Sequence, residues 1–152
     1  MKPKIITYDS KYKSNFINLN KAWLEAYFFV EPHDFEVFNT FEEKIIHNGG
    51  EIFFCIVNDE VAGTVAMQKI NNFTFEMNKL AVDKKFQGQN LGKLLIEACI
   101  SFAKQKNATT IILMSSTKLQ TALHLYKKYN FVAVPLIEND YARADIQMEL
   151  YL

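Results

Sequence analysis

A short polar turn carries the clearest chemical potential in this chain of 152 residues. It reads Gln87-Gly-Gln-Asn-Leu-Gly-Lys93, follows an apolar strand-like run and opens directly into an amphipathic helical pattern. The first N–H groups of a helix lack partners within the helix, and the helix dipole places roughly half a positive charge there. A phosphate or pyrophosphate fits that environment, so the turn predicts an anion-binding site.

Spacing within the turn excludes two common phosphate-binding loops. A Walker loop has four residues between its glycines, followed by Lys and then Ser or Thr. Here three residues separate Gly88 from Gly92, and Leu94 follows Lys93, so no hydroxyl is placed for magnesium. A dinucleotide fingerprint needs G-x-G-x-x-G, which these glycines do not supply.

Hydrophobic periodicity predicts one α/β domain with the element order β-α-α-β-β-β-α-β-α-β-β. A buried stripe of Phe16, Leu19, Trp23, Ala26 and Tyr27 is expected on the first helix. Pro32 is expected to interrupt the chain, and a capping box from Thr40 to Glu43 to begin the second helix. The predicted strands are residues 4–8, 51–57, 61–70, 73–82, 110–115, 131–134 and 146–152, and the other predicted helices are residues 11–28, 91–106 and 118–129.

The three strands before the turn should form an antiparallel meander. A helix then connects residues 73–82 to residues 110–115, which makes that strand pair parallel and its crossover right-handed.

Composition excludes several classes of partner. Seventeen Lys and Arg balance seventeen Asp and Glu, so nothing favours nucleic acid or an anionic membrane as a partner. Cys55 and Cys99 fall on apolar patterns and are expected to be buried free thiols. His33, His47 and His124 share no metal-ligand spacing, so no metal is expected. No signal peptide and no long apolar run are visible, so a cytoplasmic location is expected.

Two segments carry a resemblance to a known family. Residues 87–92 are similar to the Gln/Arg-x-x-Gly-x-Gly/Ala signature of the GCN5-related N-acetyltransferases (GNAT). Residues 122–131, Ala-Leu-His-Leu-Tyr-Lys-Lys-Tyr-Asn-Phe, resemble that family's Ala-x-x-Leu-Tyr-x-x-x-Gly-Phe segment, and residues 76–82 resemble its fourth strand. Asn90 and Asn130 stand where the family usually has glycine. Because Asn tolerates a left-handed backbone, both turns are expected to survive.

The resemblance implies a single GNAT-like domain over residues 1–152. Its sheet would be mixed and mostly antiparallel, with about six to seven strands and about four flanking helices. The fourth and fifth strands would splay apart at a bulge. The same resemblance implies acetyl-CoA as co-substrate, with the pyrophosphate on the turn and the pantetheine arm along the fourth strand. The implied contact residues are Leu80, Ala81, Val82, Gln87, Gly88, Gln89, Asn90, Leu91, Gly92 and Lys93.

Two catalytic candidates follow from the resemblance. Glu76 occupies a position where some members carry a catalytic glutamate, and alternation would place it on one strand face with Asn78, Leu80 and Val82. It is either a general base or a carboxylate of the sheet surface. Tyr126 resembles the tyrosine that faces the CoA sulfur, although a tyrosine on the apolar face of a helix is also a normal core residue.

An acceptor site is implied at residues 28–34 and 135–143. Its candidate contacts are Tyr27, Glu31, Tyr141 and Arg143, with Asp140 as a further polar group, and each could also be an ordinary loop or core residue. Lys79 and Lys93 could reach phosphates or lie in solvated surface.

The predicted activity is acetyl transfer from acetyl-CoA to a primary amine of a small molecule or protein. The amine would attack directly, through a tetrahedral intermediate. The alternative is a catalytically weak acyl-CoA-binding sensor or interaction module on the same fold. A homodimer is expected.

Overall fold

The computed structural model of the chain describes residues 2–136 and 141–152. Its strands are β1 (Lys4–Thr7), β2 (Glu51–Val57), β3 (Glu60–Lys69), β4 (Thr74–Val82), β5 (Thr110–Ser115), β6 (Val132–Val134) and β7 (Ile146–Tyr151). Its α-helices are α1 (Lys13–Tyr27), α2 (Pro32–Phe41), α3 (Leu91–Gln105) and α4 (Gln120–Lys128). The strands form one sheet in the order β1-β2-β3-β4-β5-β7-β6.

The topology confirms the predicted mixed α/β architecture. β2, β3 and β4 form the antiparallel meander, and β4 and β5 are the parallel pair joined by α3. The remaining neighbouring strands are antiparallel. β2 and β5 have the predicted bounds, and the other strands begin or end within one residue of the predicted position.

Two hydrophobic layers cover the two faces of the sheet. Phe53 and Cys55 of β2 pack in the larger cluster, which contains the buried residues of α3 and α4. Ile52 and Phe54 of β2 pack on the opposite face, in a smaller cluster with residues of α1 and α2. This alternation follows from the period of two in a strand, and it makes β2 apolar on both faces.

The buried stripe predicted for α1 is wrong in part. Phe16 is buried as expected, but the stripe continues through Asn20 and Leu24, and Tyr27 is 44% exposed. Asn20 tolerates burial because its side-chain amide donates to the Phe16 carbonyl at 2.9 Å. The buried face of the helix is therefore rotated away from the face that carries its aromatic residues Trp23 and Tyr27.

The predicted start of the second helix is also wrong. Pro32 begins α2 instead of interrupting the chain, because a proline at the first helical position lacks only an N–H that would have no helical partner. The Glu31 N–H donates to Asp34 Oδ2 at 2.8 Å, which caps this end. Thr40 lies inside the helix, where its hydroxyl donates to the Glu36 carbonyl, and a π-helical segment, Glu42–Ile46, follows.

A bulge in β4 separates it from β5. Thr64 of β3 pairs with Ala81 and Ala66 pairs with Asn78, so β4 holds one extra residue at this point. Lys79 takes up the extra length with a left-handed backbone (φ 59°). Pairing between β4 and β5 ends at the register of Glu76, although β5 continues to Ser115.

Because of the bulge, the predicted alternation of side chains along β4 is wrong for Leu80 and Val82. Leu80 and Val82 pack against the same cluster as Met77, on the α3 side of the sheet. Glu76 and Asn78 lie on the other face, where Asn78 also bonds Gln68 of β3. One inserted residue reverses every later side chain, which a uniform period of two cannot represent.

Other expectations concern single residue types. Cys55 and Cys99 are buried and free, as predicted. Within residues 2–136 and 141–152, no group of three or more His, Cys, Asp or Glu side chains could hold a metal ion. Over the same ranges, none of the helices has the length and apolar character needed to cross a bilayer.

Candidate active site

A cleft of about 1100 Å³ opens where β4 and β5 separate. One end is lined by the turn before α3, at Gln87, Gly88 and residues 90–93, whereas Gln89 and Ala81 are not among the lining residues. The wall between them comes from β4, β5 and α4, and the other end from α1 and from Tyr141, Arg143 and Ala144. The cleft therefore brings together most of the residues that the sequence singled out.

The turn before α3 has the geometry that an anion site requires. Gly88 has a φ of 85°, in the left-handed region that glycine adopts most readily. Asn90 is the residue before the helix and is also left-handed (φ 62°, ψ 24°), as predicted for an Asn in the usual glycine position. The N-terminus of α3 thus opens toward the cleft with its first N–H groups outside the helical ladder.

Side chains within the turn differ in what they offer a ligand. Gln87, Gly88, Gln89 and Asn90 are exposed, whereas Leu91 is buried in the core and presents only its main chain. A Cβ on Gly88 would meet no atom within 4 Å, and one on Gly92 would lie 3.7 Å from the nearest atom, on Leu125. A side chain at either glycine would therefore not clash with the protein.

Tyr126 is positioned by the way α4 ends. The Phe131 N–H donates to the Tyr126 carbonyl at 3.2 Å, and the Asn130 N–H donates to the Lys127 carbonyl at 3.0 Å. This pair of bonds is a Schellman motif, in which Asn130 takes the left-handed position (φ 72°). The accompanying apolar contact is between Tyr126 and Phe131, whose ring centroids are 5.9 Å apart.

The Tyr126 hydroxyl is held in an apolar setting. The side chain is 8% exposed and lines the cleft, and none of the described residues hydrogen-bonds its hydroxyl. Burial raises the pKa of Tyr126 to about 12. A phenol in this position remains protonated at neutral pH and can donate a hydrogen bond into the cleft.

Glu76 lies at the point where β4 leaves β5. It is half-buried, it lines the cleft, and its Oε2 accepts a hydrogen bond of 2.9 Å from Asn78 Nδ2. The same amide nitrogen lies 3.3 Å from Gln68 Oε1. These contacts hold the carboxylate in place and leave its other oxygen, Oε1, without a described hydrogen bond.

Lys79 is the cleft residue whose environment the sequence predicted least well. Its ammonium donates to the Tyr141 hydroxyl at 2.8 Å and lies 4.7 Å from the centre of that ring. The pKa of Lys79 is lowered to about 8, mainly by desolvation; Asp34 and Glu76 oppose this shift, and Arg143 contributes to it. Lys79 is half-buried at the bulge, a position that matches neither of the two predictions for it, contact with phosphates or solvated surface.

Glu31 and Arg143 are occupied by each other and by Asp34. Arg143 contacts the fully buried Asp34 through Nη1 and Nη2, each at 2.9 Å, and Glu31 through Nη1 at 3.0 Å. The guanidinium beside Asp34 lowers the pKa of that carboxyl against the opposing effect of burial. Glu31 also accepts from the Ala142 N–H at 3.0 Å, so this cluster ties the segment before β7 to the start of α2.

Aromatic side chains line the remaining wall of the acceptor end. Trp23 contacts Tyr27 and Phe28, with ring centroids 5.5 and 5.7 Å apart, and all three line the cleft. Tyr141 stacks on the guanidinium of Arg143 at 4.1 Å. Asp140, a further candidate at this end, lies outside the described residues.

Sequence reasoning placed Asn78 on the face of Glu76 and Asp34 within the acceptor segment, but it gave neither residue a role. The bond from Asn78 to Glu76 could have been inferred from the alternation that places them together. Asp34 could have been found as the acidic residue two positions after Pro32, a spacing typical of the first turn of a helix. Its pairing with Arg143, far along the chain, has no local signal.

Comparison with known proteins identifies the family. The model of the Acetyltransferase (GNAT) family matches residues 17–131. The chain belongs to this family. The match extends from α1 to the Phe131 that closes α4, and it includes the turn before α3 and the bulge.

Two curated GNAT relatives show similarity over parts of their length. An uncharacterised N-acetyltransferase of Dictyostelium discoideum is 39% identical over 57 residues, which are 38% of this chain and 26% of that protein. The uncharacterised N-acetyltransferase YvbK of Bacillus subtilis is 30% identical over 92 residues, 60% of this chain and 59% of that protein. The chain thus matches about a quarter and about three fifths of these two relatives.

Solved GNAT structures share the fold over the whole chain. An acetyltransferase from Staphylococcus aureus Mu50 superposes with a TM-score of 0.89 at 20% identity, covering 99% of both chains. The PaiA N-acetyltransferase from Thermoplasma acidophilum, solved in complex with coenzyme A, gives a TM-score of 0.78 at 14% identity and covers both chains fully. At these identities the likeness establishes the architecture.

Proposed function

We propose that this protein transfers an acetyl group from acetyl-CoA to a primary amine of a small molecule or protein. One observation carries the proposal. The separating strands β4 and β5, the N-terminus of α3 and the side chain of Tyr126 all line a single cleft. Family membership and the solved coenzyme A complex of the Thermoplasma protein support the same conclusion.

The donor would be held largely by main-chain groups. The N–H groups from Gly88 to Lys93 would hold the pyrophosphate at the positive end of the α3 dipole, while the Gln87 N–H donates to the Lys84 carbonyl at 3.4 Å. The backbone of Leu80, Ala81 and Val82 lies beyond the last β4–β5 pair, so it could pair with an extended pantetheine arm. A thioester supplies an activated acyl carbon, and an N–H of Leu80 or Ala81 would stabilise the negative charge on its oxygen.

Tyr126 would assist departure of the thiolate by donating a hydrogen bond. A free thiol has a pKa of about 8.5. With the pKa of Tyr126 at about 12, complete proton transfer from the phenol to the thiolate would be uphill by about 5 kcal/mol. Donation without transfer avoids this cost, so the tyrosine acts as a hydrogen-bond donor at the sulfur while bond cleavage proceeds.

Glu76 would bind and help to deprotonate the acceptor. An alkylamine with a pKa of about 10.4 must lose a proton to become nucleophilic, at a cost of about 4.6 kcal/mol at pH 7. Glu76 is held by Asn78 at the point where the strands separate, which gives the ammonium a carboxylate partner close to the bulge. The proton would pass to this carboxylate directly or through water.

Release of free thiol from acetyl-CoA across a panel of amines tests the proposal. We expect release that depends on the amine, accompanied by the acetylated amine as product. Coenzyme A binding measured by calorimetry in the same preparation provides the control for an intact donor site. Binding with no turnover on any amine would contradict acetyl transfer and favour the alternative, an acyl-CoA-binding sensor.

A further inference from the structure

Two neighbouring residues at the bulge have hydrogen-bonding capacity that the described residues do not fill. Asn78 and Lys79 both line the cleft. They are consecutive in sequence, and the extra residue in β4 brings both close to Glu76. Asn78 forms a hydrogen bond with Glu76, and Lys79 interacts with it through its charge. The unfilled group of Asn78 is a hydrogen-bond acceptor, and that of Lys79 is a cationic donor.

Asn78 contributes an oxygen without a partner. Its Nδ2 points at Glu76 Oε2 and Gln68 Oε1, both acceptors, which fixes the orientation of the amide. Its Oδ1 is buried and has no hydrogen-bond partner among the described residues. An unpaired buried oxygen costs free energy, and the amide nitrogen of the same side chain holds Glu76 beside the cleft.

Lys79 is a cation, and its two neighbouring carboxylates already accept hydrogen bonds from other residues. Asp34 is held at two points by Arg143, and Glu76 accepts from Asn78. The one hydrogen bond described for the Lys79 ammonium is to the Tyr141 hydroxyl, and an ammonium has three donors. A half-buried ammonium with spare donors, facing a cleft, matches an anionic group on a ligand.

We propose that the acceptor is an amino acid, or another amine with a carboxylate a few bonds from its nitrogen. Glu76, held by Asn78, receives the amine, and Lys79 receives the carboxylate. This assignment rests on the proposed acetyl transfer and names the substrate class for the same cleft. Lys79 is then the residue that determines specificity.

Two lysines of the cleft argue against a polycationic acceptor. Arg143 is shared by the carboxylates of Glu31 and Asp34, so these three groups with Lys79 and Glu76 carry one net negative charge, which a second lysine offsets. Lys118 adds a second cation at the cleft, 4.9 Å from the centre of the Phe28 ring. A polyamine would place its additional ammonium groups against these lysines, whereas an apolar side chain of an amino acid would fit the wall of Trp23 and Tyr27.

The test compares amino acids with their amides, which lack the carboxylate charge. Because loss of that charge also lowers the pKa of the amine, each kcat/KM is expressed per unprotonated amine. Phenylalanine, methionine and leucine are each assayed beside the corresponding amide, with spermidine and putrescine in the same panel. We expect kcat/KM to be roughly ten- to hundredfold higher for the acid than for its amide, the value of a charge-assisted hydrogen bond. Lys79→Met should remove this preference, and Lys79→Arg should keep much of it.

The ratio of acid to amide is measured within one preparation, so partial misfolding of a variant does not affect it. The ratio should also fall as pH rises through about 8, where Lys79 loses its charge. The groups that set this pKa are Asp34 of α2, Glu76 of β4, and Arg143 of the segment before β7, and Lys79→Met should abolish the pH dependence of the ratio.

Three outcomes would overturn the inference. These are amides or polyamines that react as well as the acids, an acid preference that survives Lys79→Met, or one that Lys118→Met removes instead. In each of these cases acetyl transfer itself is still observed. Failure of the proposed function is a different result, namely the absence of thiol release with any amine.

Discussion

At the scale of single residues, burial decides what Tyr126 can do. The side chain lines the cleft although it is 8% exposed, and its raised pKa keeps the proton on the phenol. The sequence alone left two interpretations open, a core residue and a donor to the sulfur. The structure shows the ring packed against Phe131, and the role as donor to the sulfur stays a proposal.

Replacement of Tyr126 by phenylalanine tests this assignment. Tyr126→Phe should lower kcat by roughly ten- to hundredfold, since it removes one hydrogen bond to a developing charge. Affinity for coenzyme A should stay nearly unchanged, because the main chain before α3 holds the donor. Steady-state kinetics and calorimetry measure the two quantities, and a variant that turns over at the native rate would make Tyr126 a core residue alone.

At the scale of elements, asparagine replaces glycine at several turns that this fold needs. Asn58, Asn90, Asn107 and Asn130 all have positive φ. α3 ends as α4 does, with Ala108 N–H donating to the Ala103 carbonyl and Asn107 N–H to that of Lys104. Asparagine pays less than other non-glycine residues in this conformation, which is why the expected turns at Asn90 and Asn130 persist.

The left-handed position after α4 predicts a stability effect. Asn130→Ala should lower the free energy of unfolding by about 1 kcal/mol, because alanine is strained at positive φ. Asn130→Gly should preserve or slightly raise that free energy, since glycine adopts this backbone freely. Urea unfolding of the three proteins measures the effect, and equal stability of the alanine and native forms would show that this cap is unimportant.

Some elements of the fold could be predicted from the local sequence, and others could not. The turn before α3 and the strands β2 and β5 were predictable, because glycine spacing and β-branched or aromatic runs determine them locally. The bulge at Lys79 was not placed by the pattern, since Leu80 and Val82 continue an apparent alternation after it. Pro32 was misread because proline both ends and begins helices, and only its neighbours on both sides distinguish the two.

At the scale of the whole molecule, one ion cluster connects distant parts of the chain. Arg143 lies 109 residues from Asp34 in sequence, and the two side chains meet between α2 and the segment before β7. Glu31 and Arg143 were expected to contact the acceptor, which stays a prediction. In the structure they contact each other, and Arg143 also lines the cleft. Their role toward the acceptor is therefore proposed to be indirect: they hold Tyr141 beside Lys79.

Loss of this cluster should destabilise the fold strongly. Arg143→Met leaves Asp34, which is fully buried, without its partner, and we expect a loss of about 3–5 kcal/mol in the free energy of unfolding. The double variant Asp34→Asn/Arg143→Met should recover part of that loss, because it removes the unpaired charge. Denaturant unfolding measures both, and a single variant as stable as the native chain would contradict the structural role.

The oligomeric state belongs to the same scale. Val132 and Tyr151, near the β6 edge of the sheet, are 47% and 60% exposed. The homodimer expected from the aromatic content stays a prediction, which light scattering of the purified chain addresses.

The cleft at the N-terminus of α3 is proposed to hold acetyl-CoA for transfer to an amine. Gly92→Glu tests this proposal directly, because a Cβ at this position has room and a glutamate in the first turn suits the helix dipole. The added carboxylate would occupy the pyrophosphate position and repel it, while the fold remains intact by circular dichroism.

The decisive measurement is amine-dependent thiol release from acetyl-CoA by the native chain and by Gly92→Glu, with Gly92→Ala as the smaller control. The account predicts release by the native chain, a loss of at least roughly a hundredfold in the glutamate variant and a smaller loss in the alanine variant. Equal rates in the native and glutamate proteins would contradict it.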